Sequence, residues 1–206
     1  SSDSFPFLTM RELEIDLVPA LVGRISYTGD LGYEIWVEAL YLRRLFQSLQ
    51  RAGAPFGLRL FGGRALNSLR LEKSFGSWAR EFRPLYGPAE AGLGVFVDYR
   101  RGGFIGHEAA RAERAAGPER RLVTLVVDDA GVDVMGDEPI WHDGAVVGWV
   151  TSGGYAHYSQ ASVALGYVPS ALAGADALEV EILGERRPAR VAAEPLLDPG
   201  GDRMRR

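Results

Sequence analysis

Ile140-Trp-His-Asp-Gly-Ala-Val-Val147 decides how the second half of this chain folds. An Asp-Gly pair between two apolar runs is a two-residue turn that wants positive φ at both positions, so it joins two antiparallel strands directly. Outward from it, Leu122 to Val127, Ala145 to Thr151, Ser162 to Val168, Ala177 to Ile182 and Ala189 to Ala193 are short β-type segments. Gly, Pro and Asp turns separate them, which is the pattern of a sandwich or a barrel. Ser152-Gly-Gly-Tyr155 reads as one of those turns. Residues 118–206 are therefore expected to form an all-β domain of ordinary size.

Upstream of Gly117-Pro118 the character changes. Strand-like Glu12 to Leu17 and Leu21 to Ser26 are followed by a predicted helix from Ala39 to Ala52. There Leu42, Leu45, Phe46 and Leu49 recur at helical spacing, and Gly53 stands where a C-terminal glycine belongs. A second helix is expected over Arg64 to Glu72, then an irregular stretch from Lys73 to Gly94, then a polar helix ending at Gly117. Residues 1–117 thus read as a mixed α/β region, and the whole as α+β.

Composition narrows the function. Hydrophobic residues make up 47% of 206, enough for a packed core, and no uncharged apolar run approaches the ~20 residues of a membrane helix. Ser1-Ser-Asp-Ser-Phe-Pro-Phe lacks the regions of a signal peptide. With no cysteine, disulfides, thiolate metal sites and thiol nucleophiles are excluded together, and a cytoplasmic protein is expected. Net charge is −4 and the basic residues are scattered among acids, against a nucleic-acid partner. His107, His142 and His157 stand at no metal-ligand spacing and there is no Gly-x-Ser-x-Gly elbow, so metal and hydrolase readings are poor.

The run with most chemical content is Arg24-Ile-Ser-Tyr-Thr-Gly-Asp-Leu-Gly-Tyr-Glu-Ile35. It reads as two short strands joined by Thr28-Gly-Asp-Leu-Gly32, with Tyr27 and Glu34 near the closed end. Two readings stay open here. One is an ordinary hairpin with Glu34 in water. The other is a cradle for a flat heterocycle, which stacks on Tyr27 while the acceptor-only Glu34 carboxylate takes its N–H donors. Arg70, in Leu69-Arg-Leu-Glu72, suits an internal ion pair with Glu72 or Glu81, or a ligand carboxylate. Trp78, Tyr86, Trp141, Trp149 and Tyr155 are candidates for lining a cleft or for the core.

Taken together, Arg24 to Glu34, Asn67-Ser-Leu-Arg-Leu-Glu-Lys73, Pro88-Ala-Glu-Ala-Gly-Leu93, Phe104-Ile-Gly106, Gly148 to Tyr155, Ala164-Leu-Gly-Tyr-Val168 and Glu194-Pro-Leu-Leu-Asp-Pro199 resemble the aminomethyltransferase (glycine cleavage T-protein) family. Within it the chain is most similar to the tetrahydrofolate-binding C-terminal region of dimethylglycine and sarcosine dehydrogenases, from about residue 5 to the end. The resemblance implies a partial ferredoxin-like α/β folate-binding region followed by a C-terminal β-barrel. It implies tetrahydrofolate as the bound cofactor, with Tyr27 and Glu34 on the pterin ring and Tyr33, Trp78 and Arg70 as further folate contacts. The implied reaction takes the methyl-derived carbon of an oxidised N-methylglycine-type amine and gives 5,10-methylenetetrahydrofolate. The implied partners are folate, the N-methyl amine and a flavin dehydrogenase domain in cis or in trans.

Two departures from the family pattern shape these expectations. The catalytic aspartate and the first part of the ferredoxin-like subdomain fall upstream of Ser1, so the region is expected to be N-terminally truncated and the isolated chain inactive. FAD is expected only in a missing N-terminal domain, since no dinucleotide-binding pattern occurs in these residues. Arg64-Ala-Leu-Asn67 stands where glycine-cleavage enzymes carry Gly-Ala-Arg-Asp, which favours the dehydrogenase branch. The competing readings are a glycine-cleavage-type aminomethyltransferase and a non-catalytic folate-binding or structural module.

Overall fold

Ile15 and Val18 face each other across a two-residue turn, Asp16-Leu17, whose φ angles are 48° and 65°. Positive φ at both central positions supplies the twist that two antiparallel strands need. The computed structural model, which describes residues 3–128 and 131–206, accordingly joins β1 (Met10–Ile15) to β2 (Val18–Gly23) at this turn. The segment read as lacking a signal begins at Ser1-Ser2, outside the described residues. β3 (Glu34–Trp36) pairs antiparallel with β2 and completes an open sheet of order β1-β2-β3.

The expected strands Glu12 to Leu17 and Leu21 to Ser26 are thus set too late in the chain, because no glycine marks the turn between them. Asp16 supplies the turn chemistry instead. Its carboxylate accepts from Ser48 Oγ at 2.5 Å and from Arg51 at 3.0 Å, and its carbonyl accepts from Arg44 Nε at 3.0 Å. All three donors lie on α1 (Leu42–Gly53), which a 3₁₀ turn over Ala39–Tyr41 precedes. The Ser48 hydrogen bond outweighs the opposing desolvation and, with smaller contributions from Arg44 and Arg51, holds the Asp16 carboxyl below its ordinary value of 3.8.

Of the helix's apolar stripe only Leu45 is buried, while Leu42, Phe46 and Leu49 remain exposed. Gly53 does not end the helix in the left-handed conformation, since Gly57 takes that role after a 3₁₀ turn over Ala54–Phe56. A side chain at Gly53 would instead collide with Leu58, whose Cβ lies 2.7 Å from where a Cβ would stand. The predicted second helix is present as α2 (Gly63–Glu72).

The chain divides into two compact units, Ser1–Leu69 with Asp198–Arg206, and Arg70–Leu197. The expected boundary at Gly117-Pro118 lies inside the second unit, between α3 (His107–Ala116) and β4 (Arg120–Val127). In the first unit the buried Arg24 ties three segments together. Its guanidinium donates to the carbonyls of Phe5, at 2.6 Å, and Arg206, while its own backbone bonds to Leu8 and Thr9. The C-terminal turn Asp202–Arg205 adds a 3.6 Å ion pair between Arg203 and Asp30.

The second unit is built on a closed antiparallel barrel. β5 (Pro139–His142), β6 (Ala145–Ala156), β7 (Ala161–Pro169), β8 (Leu178–Ile182) and β9 (Glu185–Val191) join β4 in the order β4-β7-β6-β5-β8-β9. Pairing of Leu125 with Val191 closes the ring. Asp143 and Gly144, with φ of 48° and 78°, make the expected two-residue hairpin, and Leu183-Gly184 makes another. Leu125, Ile140, Val150, Val168, Leu178 and Val180 fill the interior. Closure leaves the barrel no free sheet edge.

Ser152-Gly-Gly-Tyr155 is not a turn. It continues β6, with Gly153 opposite Ala164 and Gly154 opposite Val163. Gly153 is there for space, because a Cβ on it would stand 2.7 Å from the Val134 side chain.

Candidate functional site

The run Arg24 to Tyr33 is a ten-residue loop in the structure, so Tyr27 stands on the loop and not on a strand. Ser26 Oγ accepts the backbone N–H of Gly29 at 3.1 Å, which closes a local turn over Tyr27 and Thr28. Gly29 has φ of 85°. The two limbs of the loop meet at Gly32, where an added Cβ would lie 3.2 Å from the Ile25 carbonyl oxygen and 3.4 Å from Ser26. Only glycine allows that approach without displacing the opposite limb. Tyr27 lies within the loop, two residues past Ile25, whereas Glu34 lies on the strand side of the pinch, two residues past Gly32.

Glu34 opens β3 opposite Gly23 and is exposed. Tyr27 is half-buried. Tyr33 is exposed, with its ring 5.7 Å from that of Phe5. The loop, tied by Arg24 at its root, and the first residue of β3 therefore place the exposed Glu34 carboxylate, an acceptor only, close in sequence to two phenol rings. That set suits a flat ligand rich in N–H donors.

Arg70 and Trp78 belong to the second unit. Arg70, 4% exposed, points inward: it donates to the Phe75 carbonyl at 2.9 Å and pairs with Glu81 at 3.4 Å, as the ion-pair reading anticipated. Trp78 is 85% exposed and meets Phe82 edge to face, at 6.4 Å and 81°. Of the other aromatic candidates, Tyr86 and Trp149 are brought together, Trp149 Nε1 donating to Tyr86 Oη at 3.0 Å. Tyr86 stacks on Tyr167 at 3.7 Å, and the Arg120 guanidinium covers Tyr86 and Trp149 at 5.7 and 5.6 Å. Trp141 lies under Arg186 at 3.5 Å, and Tyr155 packs edge to face on His157.

The residue that sequence reading undervalued is Glu81. Its side chain is fully buried, and its oxygens receive Thr151 Oγ1 and Ser152 Oγ at 2.5 Å each and the Ser77 amide at 2.7 Å, besides Arg70. Its carbonyl accepts Tyr167 Oη at 2.9 Å. Burial, followed by the nearby Tyr86 and Glu90, raises the Tyr167 phenol well above its ordinary value, so it stays a donor. Adjacent strand residues normally point to opposite faces. Here a register shift between Val150 and Ser152 bulges β6 and aims both hydroxyls at one carboxylate oxygen. The signal available in the sequence was the pair of hydroxyl residues just before two strand glycines.

The histidines take local roles. His107 contacts the Tyr99 carbonyl at 3.2 Å and Glu108, and His142 contacts the Ala177 carbonyl at 2.9 Å. Among the described residues no group of three His, Asp or Glu could hold a metal ion, and no helix is long and apolar enough to cross a membrane.

A mixed sheet-and-helix region followed by a closed six-stranded antiparallel barrel is the aminomethyltransferase fold. The solved structure of glycine cleavage system aminomethyltransferase T from Bartonella henselae superposes with a TM-score of 0.85 at 25% identity, covering 97% of this chain and 55% of that one. Residues 1–101 match the GCVT N-terminal domain and residues 120–198 the glycine cleavage T-protein C-terminal barrel domain. The chain belongs to the glycine cleavage T-protein family. It is 40% identical over 210 residues to mitochondrial dimethylglycine dehydrogenase of Homo sapiens, spanning 100% of this chain and 24% of the relative. It is 36% identical over 193 residues to the aminomethyltransferase of Symbiobacterium thermophilum, spanning 92% and 51%. The chain thus spans about a quarter of the dehydrogenase and about half of the aminomethyltransferase.

Proposed function

We propose that this chain is the tetrahydrofolate-binding part of a one-carbon-transfer enzyme. It accepts the methyl-derived carbon of an oxidised N-methylglycine-type amine and yields 5,10-methylenetetrahydrofolate. The observation that carries this reading is the exposed Glu34 carboxylate at the foot of the pinched Arg24–Tyr33 loop, in a chain of this family. Glu34 accepts the pterin ring N–H and exocyclic amine, Tyr27 stacks on the ring and Tyr33 flanks it. Arg70, buried on Glu81, serves by holding Glu81 and not by touching ligand.

Bound tetrahydrofolate supplies the amine nitrogens that take up the carbon. The protein's task is orientation, and well-aligned reactants gain up to roughly 7–11 kcal/mol of barrier. The amine donor and a flavin dehydrogenase domain, joined in cis or supplied in trans, belong to the same proposal.

Titration calorimetry with folinic acid tests it. Because hydrogen bonds to a charged group contribute about 1.5–3 kcal/mol, Glu34→Ala is expected to weaken binding roughly tenfold or more. Equal affinity of wild type and variant would remove Glu34 from the site.

A further inference from the structure

The loop that carries Tyr27 is held at its first residue, in its middle and at its last. At the first, the Arg24 N–H donates to the Thr9 carbonyl and the Arg24 carbonyl accepts the Leu8 N–H, both at 3.0 Å. The Arg24 side chain, 1% exposed, forks to the carbonyls of Phe5, at 2.6 Å, and Arg206. At the last, the Tyr33 ring lies 5.7 Å from that of Phe5, so both ends of the loop converge on one phenylalanine. In the middle, Asp30 pairs with Arg203 at 3.6 Å.

Arg203 and Arg206 come from one short turn that is fixed by its own residues. The Asp198 carboxylate accepts the amides of Asp202 and Arg203 at 3.0 and 3.1 Å, and the Asp198 carbonyl accepts the Gly201 N–H at 2.9 Å. Gly201 turns the chain with φ of 71°, and Met204 is buried. Residues 198–206 belong to the same compact unit as the loop. A buried guanidinium has donors only, so it is held where acceptors reach it. Those that reach Arg24 stand 19 and 182 residues away in the chain. The loop therefore takes its shape from segments that are not its sequence neighbours.

We propose that Arg24 is a positioning residue for ligand binding and that residues 198–206 are its clasp: the turn closes on Arg24 and Asp30 together, fixes the Arg24–Tyr33 loop and thereby sets where Tyr27 and Glu34 stand for a flat, N–H-rich ring. The ligand part of this inference rests on the functional reading above, whereas the clasp rests on the contacts alone. Arg24 touches no ligand in this scheme. Coupling of this kind is reciprocal: a ligand that needs the fixed loop tightens the clasp, and a loosened clasp weakens the ligand.

Hydrogen–deuterium exchange on the 206-residue chain reads the clasp directly. Met204→Ala removes the buried anchor of the turn and is expected to speed exchange of amides 25–33 while leaving β4 and β7 unchanged. Arg203→Ala removes a partly exposed ion pair, and is expected to speed the same amides up to about fivefold. Added salt is expected to erase the difference between that variant and wild type, because the pair is screened. Loop exchange unchanged in both folded variants overturns the clasp.

Titration calorimetry with folinic acid reads the positioning role. Arg24→Lys keeps the charge but loses the planar fork, and is expected to weaken binding roughly three- to tenfold, with Arg24→Ala weaker still. Met204→Ala, which leaves Arg24 in place, is expected to weaken it as well, and carries the test should neither Arg24 variant fold. Wild-type affinity in every folded variant of these three overturns the positioning role. Bound folinic acid is also expected to slow exchange of amides 200–206, which touch no ligand, and to do so less in Arg24→Lys. Amides 200–206 that do not slow in the liganded wild type overturn the coupling. If wild type binds no folinic acid, the functional reading fails and exchange in the unliganded chain alone decides the clasp.

Discussion

The barrel and the three-stranded sheet solve the same problem in opposite ways. The barrel closes on itself, so every strand has two partners and its apolar residues meet each other inside. The sheet is open. β1 has one free edge and its residues from Met10 to Glu14 are all exposed, while α1 leaves Leu42 and Phe46 in solvent at 55% and 46% exposure. What holds the open unit is a small set of polar pins, Asp16 to α1 and Arg24 to the chain ends, where the closed one relies on packing.

Four substitutions probe that contrast by urea denaturation followed by circular dichroism. The largest effect is expected for Leu125→Ala in the barrel interior, a loss of about 2–5 kcal/mol, whereas Phe46→Ala on the exposed stripe is expected within about 0.5 kcal/mol of wild type. Equal losses would break the comparison. Gly153→Ala drives a methyl group into Val134 and is expected to cost about 1–3 kcal/mol. In the open unit, Leu17→Gly relieves a positive φ that leucine adopts with strain, and a gain of about 1 kcal/mol is expected.

A further probe is a pH dependence. Asp16 is held below its ordinary 3.8, so its stabilising contribution is present above that value and fades as pH falls through the lower folded one. Asp16→Asn is therefore expected to lower stability at neutral pH, with the gap to wild type closing in acid. Added salt narrows the gap, because Arg44 and Arg51 are solvent-exposed.

How legible each region was follows from the range of its determining contacts. The hairpin at Asp143-Gly144 and the strands around it could be read because turn and alternation are local. The turn at Asp16-Leu17 could not, since its stabilising partners stand a helix away on Ser48, Arg44 and Arg51. Ser152-Gly-Gly was misread because glycine answers two demands, a turn or a missing side chain, and only Val134 distinguishes them. At the candidate site, the residue types of the Tyr27 to Glu34 run were readable and its backbone was not: a hairpin was expected and a pinched loop was found. Glu81 stood among two possible partners of Arg70, but the hydroxyls that complete its surroundings come from a bulge that periodicity does not encode.

Closure of the barrel also sets an order of events in time. β4 finds its neighbours only in β7 and β9, so Leu122-Val-Thr-Leu-Val-Val127 leaves the ribosome well before either partner exists. β1 and β2, joined by two residues, zip as soon as they emerge. The first-made half of the barrel seam is consequently the stretch that waits longest as a bare apolar strand, and slow synthesis or early chain termination within β5 or β6 exposes it to self-association.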